Sequence, residues 1–145
     1  MDVGTTSTRV AAYALDGTLG AEARVPHEVR MPRPGWAEMD PAAWWDGLVA
    51  GCRDVLPRLD ASPDAIAAIG ITHMRQTFVP VDGALKPVRP AILWHDGRAA
   101  REAAWARDQL GPEWIAQRTG SPPGRRALYK VLWLQRNEPE AYART

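Results

Sequence analysis

Four short stretches carry residue types that can do chemistry. The first is DVGTTSTR, Asp2 to Arg9. Asp2 can hold a metal ion or a metal-bound water, and Gly4 lets the backbone turn tightly. Thr5, Thr6 and Ser7 offer hydroxyl and backbone N–H groups to an anion, and Arg9 adds a positive charge. That set suits a phosphate with Mg²⁺; it also suits a plain hydroxyl-rich turn. The second is GITHMRQT, residues 70–77, where an apolar run gives way to Thr72, His73, Arg75, Gln76 and Thr77. In an open α/β sheet, ligands bind beyond the ends of strands. Arg75 donates several hydrogen bonds and Gln76 both donates and accepts. That chemistry fits a polyhydroxylated ligand. The plainer alternative is a loop whose arginine forms a surface ion pair.

The third stretch is ILWHDGR, residues 92–98. Trp94 can offer a flat face to the C–H side of a sugar. Asp96 and Arg98 can bind hydroxyls or pair with each other, and Asp96 can instead cap the helix that follows. The fourth, PGWAEMDPAAWW, reads as structural: a loop and cap that feed a helix, with Trp36 and Glu38 placed where they can still reach a site. There is no GxxxxGK[ST] loop, GxGxxG, HExxH or GxSxG. His27, His73 and His95 are scattered, as structural or solvated histidines are.

The elements that must position these residues follow from pattern. Residues 8–15 and 18–29 read as two strands joined by an Asp16-Gly17 turn, with Pro26 near the edge-like end. Asp40 is a good N-cap with Pro41 at the first helical position. The helix runs to about Val55, with Trp45, Leu48, Val49, Cys52 and Val55 on one face. IAAIGIT, residues 66–72, suits a buried strand. Shorter strands are expected at 77–81 and 90–94, and helices at 97–110, 112–118 and 126–136, with a last helical turn after Pro139. The order predicts an α/β layer arrangement with mixed strand directions.

Length and composition bound the function. A chain of 145 residues fits one domain, and 46% apolar content can build a core. Seven tryptophans against one phenylalanine suggest that several tryptophans anchor that core. A net charge of +1 implies no broad basic surface, so nucleic acid is not an expected partner. The lone Cys52 excludes an internal disulfide and a cysteine-based zinc site, and fits a reducing cytoplasm. No apolar run is long enough to span a membrane.

Taken together and in order, these stretches resemble the N-terminal part of the FGGY carbohydrate kinases, the family of glycerol kinase and xylulokinase. DVGTTSTR is similar to the family's first phosphate motif. PGWAEMDPAAWW is similar to its Pro-Gly-Trp…Glu…Asp-Pro segment, and GITHMRQT to the strand and loop that reach the substrate. RPAILWHDGR resembles the xylulokinase form of the next substrate segment. KVLWLQRNEPEAY resembles the family's Lys-x-x-Trp…Glu-Pro-Glu helix and turn.

The resemblance implies an actin-like, ribonuclease-H-like ATPase fold: a mixed sheet flanked by helices, here incomplete. It implies phosphorylation of a sugar or polyol hydroxyl, dependent on ATP and Mg²⁺. By position it places Asp2 near the metal. Gly4, Thr5, Thr6, Ser7 and Arg9 fall at the nucleotide phosphates, and Arg75, Gln76, Trp94 and Asp96 at the substrate. The acidic residue that follows arginine in glycerol kinases is Gln76 here. Xylulokinases carry Gln-Met-His in this loop where this chain has Met74-Arg75-Gln76, and the Met-Arg pair is similar to the autoinducer-2 kinase branch. Pentuloses, glycerol-like polyols and other sugars therefore stay open. The family's catalytic base and adenine site fall beyond residue 145. The chain is thus expected to be an N-terminal fragment of the first, sugar-binding domain, without the second, inactive alone and cytoplasmic. Any homodimer would form through other parts of the enzyme. A non-catalytic ligand-binding half-domain, or the relic of a decayed kinase gene, is the alternative.

Overall fold

The computed structural model describes all 145 residues. They form two compact units: Met1–Val29 with Pro41–Met74, and Arg30–Asp40 with Arg75–Thr145.

The first unit is built on a four-stranded mixed sheet in the order β3-β2-β1-β5. Its strands are β1 (Asp2–Val3), β2 (Ser7–Tyr13), β3 (Leu19–Pro26) and β5 (Thr72–His73). β1 pairs antiparallel with β2 and parallel with β5. The turn between β2 and β3 is longer than a two-residue hairpin. Asp16 Oδ1 accepts the Thr18 N–H at 2.9 Å, and Gly17 takes φ +88°, a conformation glycine adopts without a Cβ penalty.

Helix α1 (Ala42–Val55) is preceded by Pro41, whose φ of −59° and ψ of −27° are already helical, as expected of a proline at the start of a helix. The buried face of α1 is different from the expected one. It is a stripe of Gly47, Gly51 and Val55, with Leu48 and Cys52 partly buried beside it, while Trp45 points to solvent. A Cβ on Gly51 would come within 2.5 Å of Val10 Cγ2, and one on Gly47 within 2.8 Å of His27 Cε1. Backbone therefore meets the β2–β3 side chains directly. The apolar pattern thus found Val55, Leu48 and Cys52 but misplaced Trp45, and it missed Gly47 and Gly51 because glycine carries no hydropathy.

The run 66–72 is not a buried strand. Only Thr72–His73 is regular, and Ile66, Ile69 and Ile71 are exposed, Ile69 by 65%. β1 supplies ladder partners only as far as Gly70, whose carbonyl accepts from the Met1 amino group, and Thr72, which donates to Met1 O. Residues 66–69 have no strand beside them and no layer over them.

The second unit packs four helices around short strands. β4 (Glu38–Met39) pairs antiparallel with β6 (Ala91–Ile92). The expected strand 77–81 reduces to isolated bridges, Phe78 to Ile92 and Val81 to Pro87, because Pro80 and Pro87 interrupt its donors. Helices α2 (Ala100–Leu110), α3 (Pro112–Thr119), α4 (Ala127–Asn137) and α5 (Pro139–Ala143) follow. Ile92, Ala106, Ile115, Trp133 and Leu134 make the core, and Trp36 stacks edge-on against Trp133 at 5.3 Å. Trp45, Trp94, Trp105 and Trp114 are exposed, so core anchoring by tryptophan is confined to a minority of the seven.

Candidate functional site

In the first unit, the Asp2–Arg9 segment forms a tight β-turn between β1 and β2. Gly4 N–H donates to Ser7 O at 3.0 Å. A Cβ on Gly4 would lie 2.9 Å from that carbonyl oxygen, so only glycine closes the turn undistorted. Thr5 Oγ1 donates to Met74 Sδ at 3.5 Å, and Ser7 Oγ accepts from Arg24 Nε at 2.9 Å. Thr6 O accepts from His27 N–H. Asp2 lies opposite Arg9 in the β1–β2 register, and both side chains are exposed. Beneath the turn, Thr8 is fully buried and its hydroxyl bonds His27 Nε2 at 2.7 Å. Burial pulls the His27 imidazole below its ordinary pKa, against a smaller upward effect of the Pro26 backbone.

This donor set fits a phosphate-bound Mg²⁺. The Gly4 turn leaves no room for a side chain, and Asp2 is a single exposed carboxylate. Mg²⁺ that enters with substrate phosphates needs only one or two carboxylates from the protein.

The boundary between the units falls between Met74 and Arg75, so the second motif divides. In the second unit Arg75 is exposed and makes no hydrogen bond or ion pair. Gln76 adopts φ +64°, the left-handed region that non-glycine residues rarely enter. Its side chain does not project outward. Gln76 Oε1 accepts the Ala127 N–H at 2.9 Å and so satisfies a free donor at the start of α4. Trp94 is 47% exposed, with its N–H bonded to Thr77 Oγ1 and its ring edge-on to His95 at 5.2 Å. His95 Nδ1 is buried without a partner.

Of the two roles open to Asp96 and Arg98, the structure shows the pairing. Asp96 is 2% exposed. Its two oxygens accept from Arg98 Nε and Nη2 at 2.9 and 2.8 Å, from Arg98 N–H, and from Ala37 N–H at 2.5 Å. Nor does it cap α2: Ala99 takes that position without a side-chain bond. Burial pushes the Asp96 carboxyl up, but the Arg98 and Ala37 donors outweigh it and hold it below its ordinary pKa. Arg98 also donates to Glu38 Oε1 at 2.7 Å and lies 3.8 Å above the Trp36 ring. Arg89 bonds Glu38 as well, and Glu138 at 3.1 Å. Glu38 and Trp36 thus work inside this network.

One residue was not assigned from sequence. Lys130 is 1% exposed, and its Nζ donates to Gln76 O at 2.7 Å and Leu93 O at 2.6 Å. Burial draws its pKa down to about 8; Asp96 opposes this, while Arg98 and Arg125 add to it. Its signal was legible: a lysine three residues before Trp133 and four before Leu134 falls on the apolar face of α4. A cavity of about 370 Å³ opens beside it, lined by Asp96, Ala103, Arg107, Arg125, Tyr129 and Lys130 among others.

No helix is long and apolar enough to cross a membrane. The chain matches the model of the FGGY family of carbohydrate kinases, N-terminal domain, over residues 1–145. A glycerol kinase of Methylorubrum extorquens is 44% identical over 110 residues, which is 74% of this chain and 22% of that protein. A glycerol kinase of Variovorax paradoxus is 37% identical over 99% of this chain and 29% of its own length. The chain therefore spans less than a third of these relatives. Among solved structures, xylulose kinase from Rhodospirillum rubrum superposes with a TM-score of 0.90 at 33% identity, covering 99% of this chain and 30% of that one. Plasmodium falciparum glycerol kinase with ADP gives a TM-score of 0.87 at 27% identity, covering 98% and 29%. With every residue matched by one family model and the same backbone recurring in its solved members, these 145 residues belong to the FGGY carbohydrate kinases and have that family's actin-like α/β fold.

Proposed function

We propose that the gene product carrying this chain transfers a phosphoryl group from ATP to a hydroxyl of a small sugar or polyol. The observation that carries the reading is the Gly4 turn, closed by a backbone bond to Ser7 in a space that no Cβ can enter. Such a turn presents successive N–H groups to phosphate oxygens. Thr5, Thr6 and Ser7 hold the nucleotide phosphates, Gly4 serves them by closing the turn that aims them, Arg9 adds positive charge, and Asp2 orients Mg²⁺. The nucleotide supplies the transferable group and Mg²⁺ offsets its negative charge. Arg75 donates to substrate hydroxyls and Trp94 packs against the C–H face. Asp96 and Gln76 serve the substrate indirectly: each commits its side-chain oxygens to the protein and fixes the loop that carries a contacting neighbour. The base that takes the hydroxyl proton is not among the residues named here.

Support comes from the ADP in the Plasmodium relative's structure and from glycerol kinases among the relatives. The test is an ATP- and Mg²⁺-dependent ADP-release assay against pentuloses, glycerol and related polyols. Turnover with at least one is expected; none with any of them defeats the reading.

A further inference from the structure

We propose that Lys130 is a positioning residue that fixes the two sugar-facing loops in one arrangement, an inference that rests on the kinase reading above. Its Nζ bonds Gln76 O at 2.7 Å and Leu93 O at 2.6 Å. Each carbonyl belongs to a residue next to a proposed substrate contact, Arg75 in one loop and Trp94 in the other. A single ammonium from α4 therefore sets the separation of two loops that are distant in sequence.

The conformation of Gln76 shows why such a hold is needed. Its φ of +64° is a strained backbone state that persists only where the surroundings over-determine it. Lys130 holds the Gln76 carbonyl, and the Ala127 N–H holds its side chain. Packing alone does not call for a lysine here. Its neighbours on the helix face are Tyr129, Trp133 and Leu134, and an apolar side chain would fill the same volume without burying a cation. The acceptors of Nζ are two neutral carbonyls, with no carboxylate in direct contact. Burying an ammonium on such partners is costly.

The charged groups around Lys130 are Asp96, which favours its protonated form, and Arg98 and Arg125, which disfavour it. Arg107 of α2 and Arg126 line the same cavity. The ammonium therefore loses its proton near pH 8, and with it the charge that strengthens both bonds.

The experiment compares sugar KM and ATP KM for the wild type, Lys130→Met and Lys130→Arg, across about pH 6.5 to 9.5. Lys130→Met is expected to raise sugar KM by about tenfold or more, the scale of a lost charged hydrogen bond, with ATP KM unchanged. Wild-type sugar KM is expected to climb above about pH 8, and Lys130→Arg, which keeps its charge, to abolish that climb. An unchanged sugar KM in Lys130→Met overturns the proposal, as does an alkaline climb that survives in Lys130→Arg. If Lys130→Met does not fold, the pH profiles of the wild type and Lys130→Arg decide. An active wild type with a flat sugar KM overturns this inference alone; a wild type that phosphorylates no sugar or polyol overturns the kinase reading and this inference with it.

Discussion

Arg98 grips Asp96 with two parallel bonds, Nε to Oδ1 at 2.9 Å and Nη2 to Oδ2 at 2.8 Å, with both side chains wholly out of solvent. A planar guanidinium meets a carboxylate in this geometry and lysine cannot. The pair joins the Gly35–Met39 segment to the Trp94 loop, because Asp96 also takes the Ala37 N–H and Arg98 also reaches Glu38. Arg98→Met leaves Asp96 buried and short of its cation. It is expected to cost about 3–5 kcal/mol of stability, read by chemical denaturation. A loss below about 1 kcal/mol, the scale of an exposed pair, would show that the network is not cohesive.

Gly4→Ala drives a methyl group against Ser7 O. The turn must open, and the N–H groups lose their common aim. ATP KM is expected to rise by about tenfold, or ~1.4 kcal/mol, with sugar KM unchanged. Steady-state kinetics with each substrate varied in turn separates the two, and an unaltered ATP KM would remove this turn from the phosphate site.

Arg75→Ala removes an exposed side chain that has no partner in the protein. Stability is expected to stay within about 0.5 kcal/mol of wild type. Sugar KM is expected to rise by about tenfold or more, as for a lost charged donor. Full sugar affinity in this variant would strike Arg75 from the substrate contacts.

Gly51→Ala places a Cβ 2.5 Å from Val10 Cγ2, and either Val10 or the helix must shift. Overpacking of this kind costs about 1–3 kcal/mol. The thermal midpoint should fall accordingly; a variant that melts with the wild type would mean that α1 slides freely.

His27 gives the first unit a pH dependence. Its folded pKa lies below 6.5, so between the two values the unfolded chain binds more protons and stability falls as pH drops. Stability from this group is present above 6.5 and declines below it. Denaturation midpoints measured from neutral to mildly acidic pH should trace the decline, and His27→Gln should flatten it. An equal decline in the variant would assign it to other groups.

The alternation of 8–15 and 18–29 and the helical spacing of 97–110 and 126–136 made those elements legible, because each is written in local pattern. What stayed hidden depends on partners far along the chain. Residues 66–72 carry the apolarity of a buried strand, but a strand needs neighbours, and β1 reaches only their final residues. The residue types at Arg75, Gln76 and Trp94 were legible. The inward turn of Gln76 was not, since it needs the Ala127 N–H, 51 residues away. Asp96 was read with its pairing as one of three options; the Glu38 and Ala37 contacts that complete the pair come from 60 and 59 residues away.

The glycines of α1 have a genetic consequence. Every amino acid other than glycine carries a Cβ, so Gly47 and Gly51 have no conservative replacement. Any missense codon at either site, including one for alanine, forces the helix or the facing His27, Thr8 and Val10 side chains to shift. In a library of random variants these two positions should be depleted of every substitution. The exposed Trp45, two residues before Gly47, should drift freely, although a hydrophobicity ranking would order them the other way round.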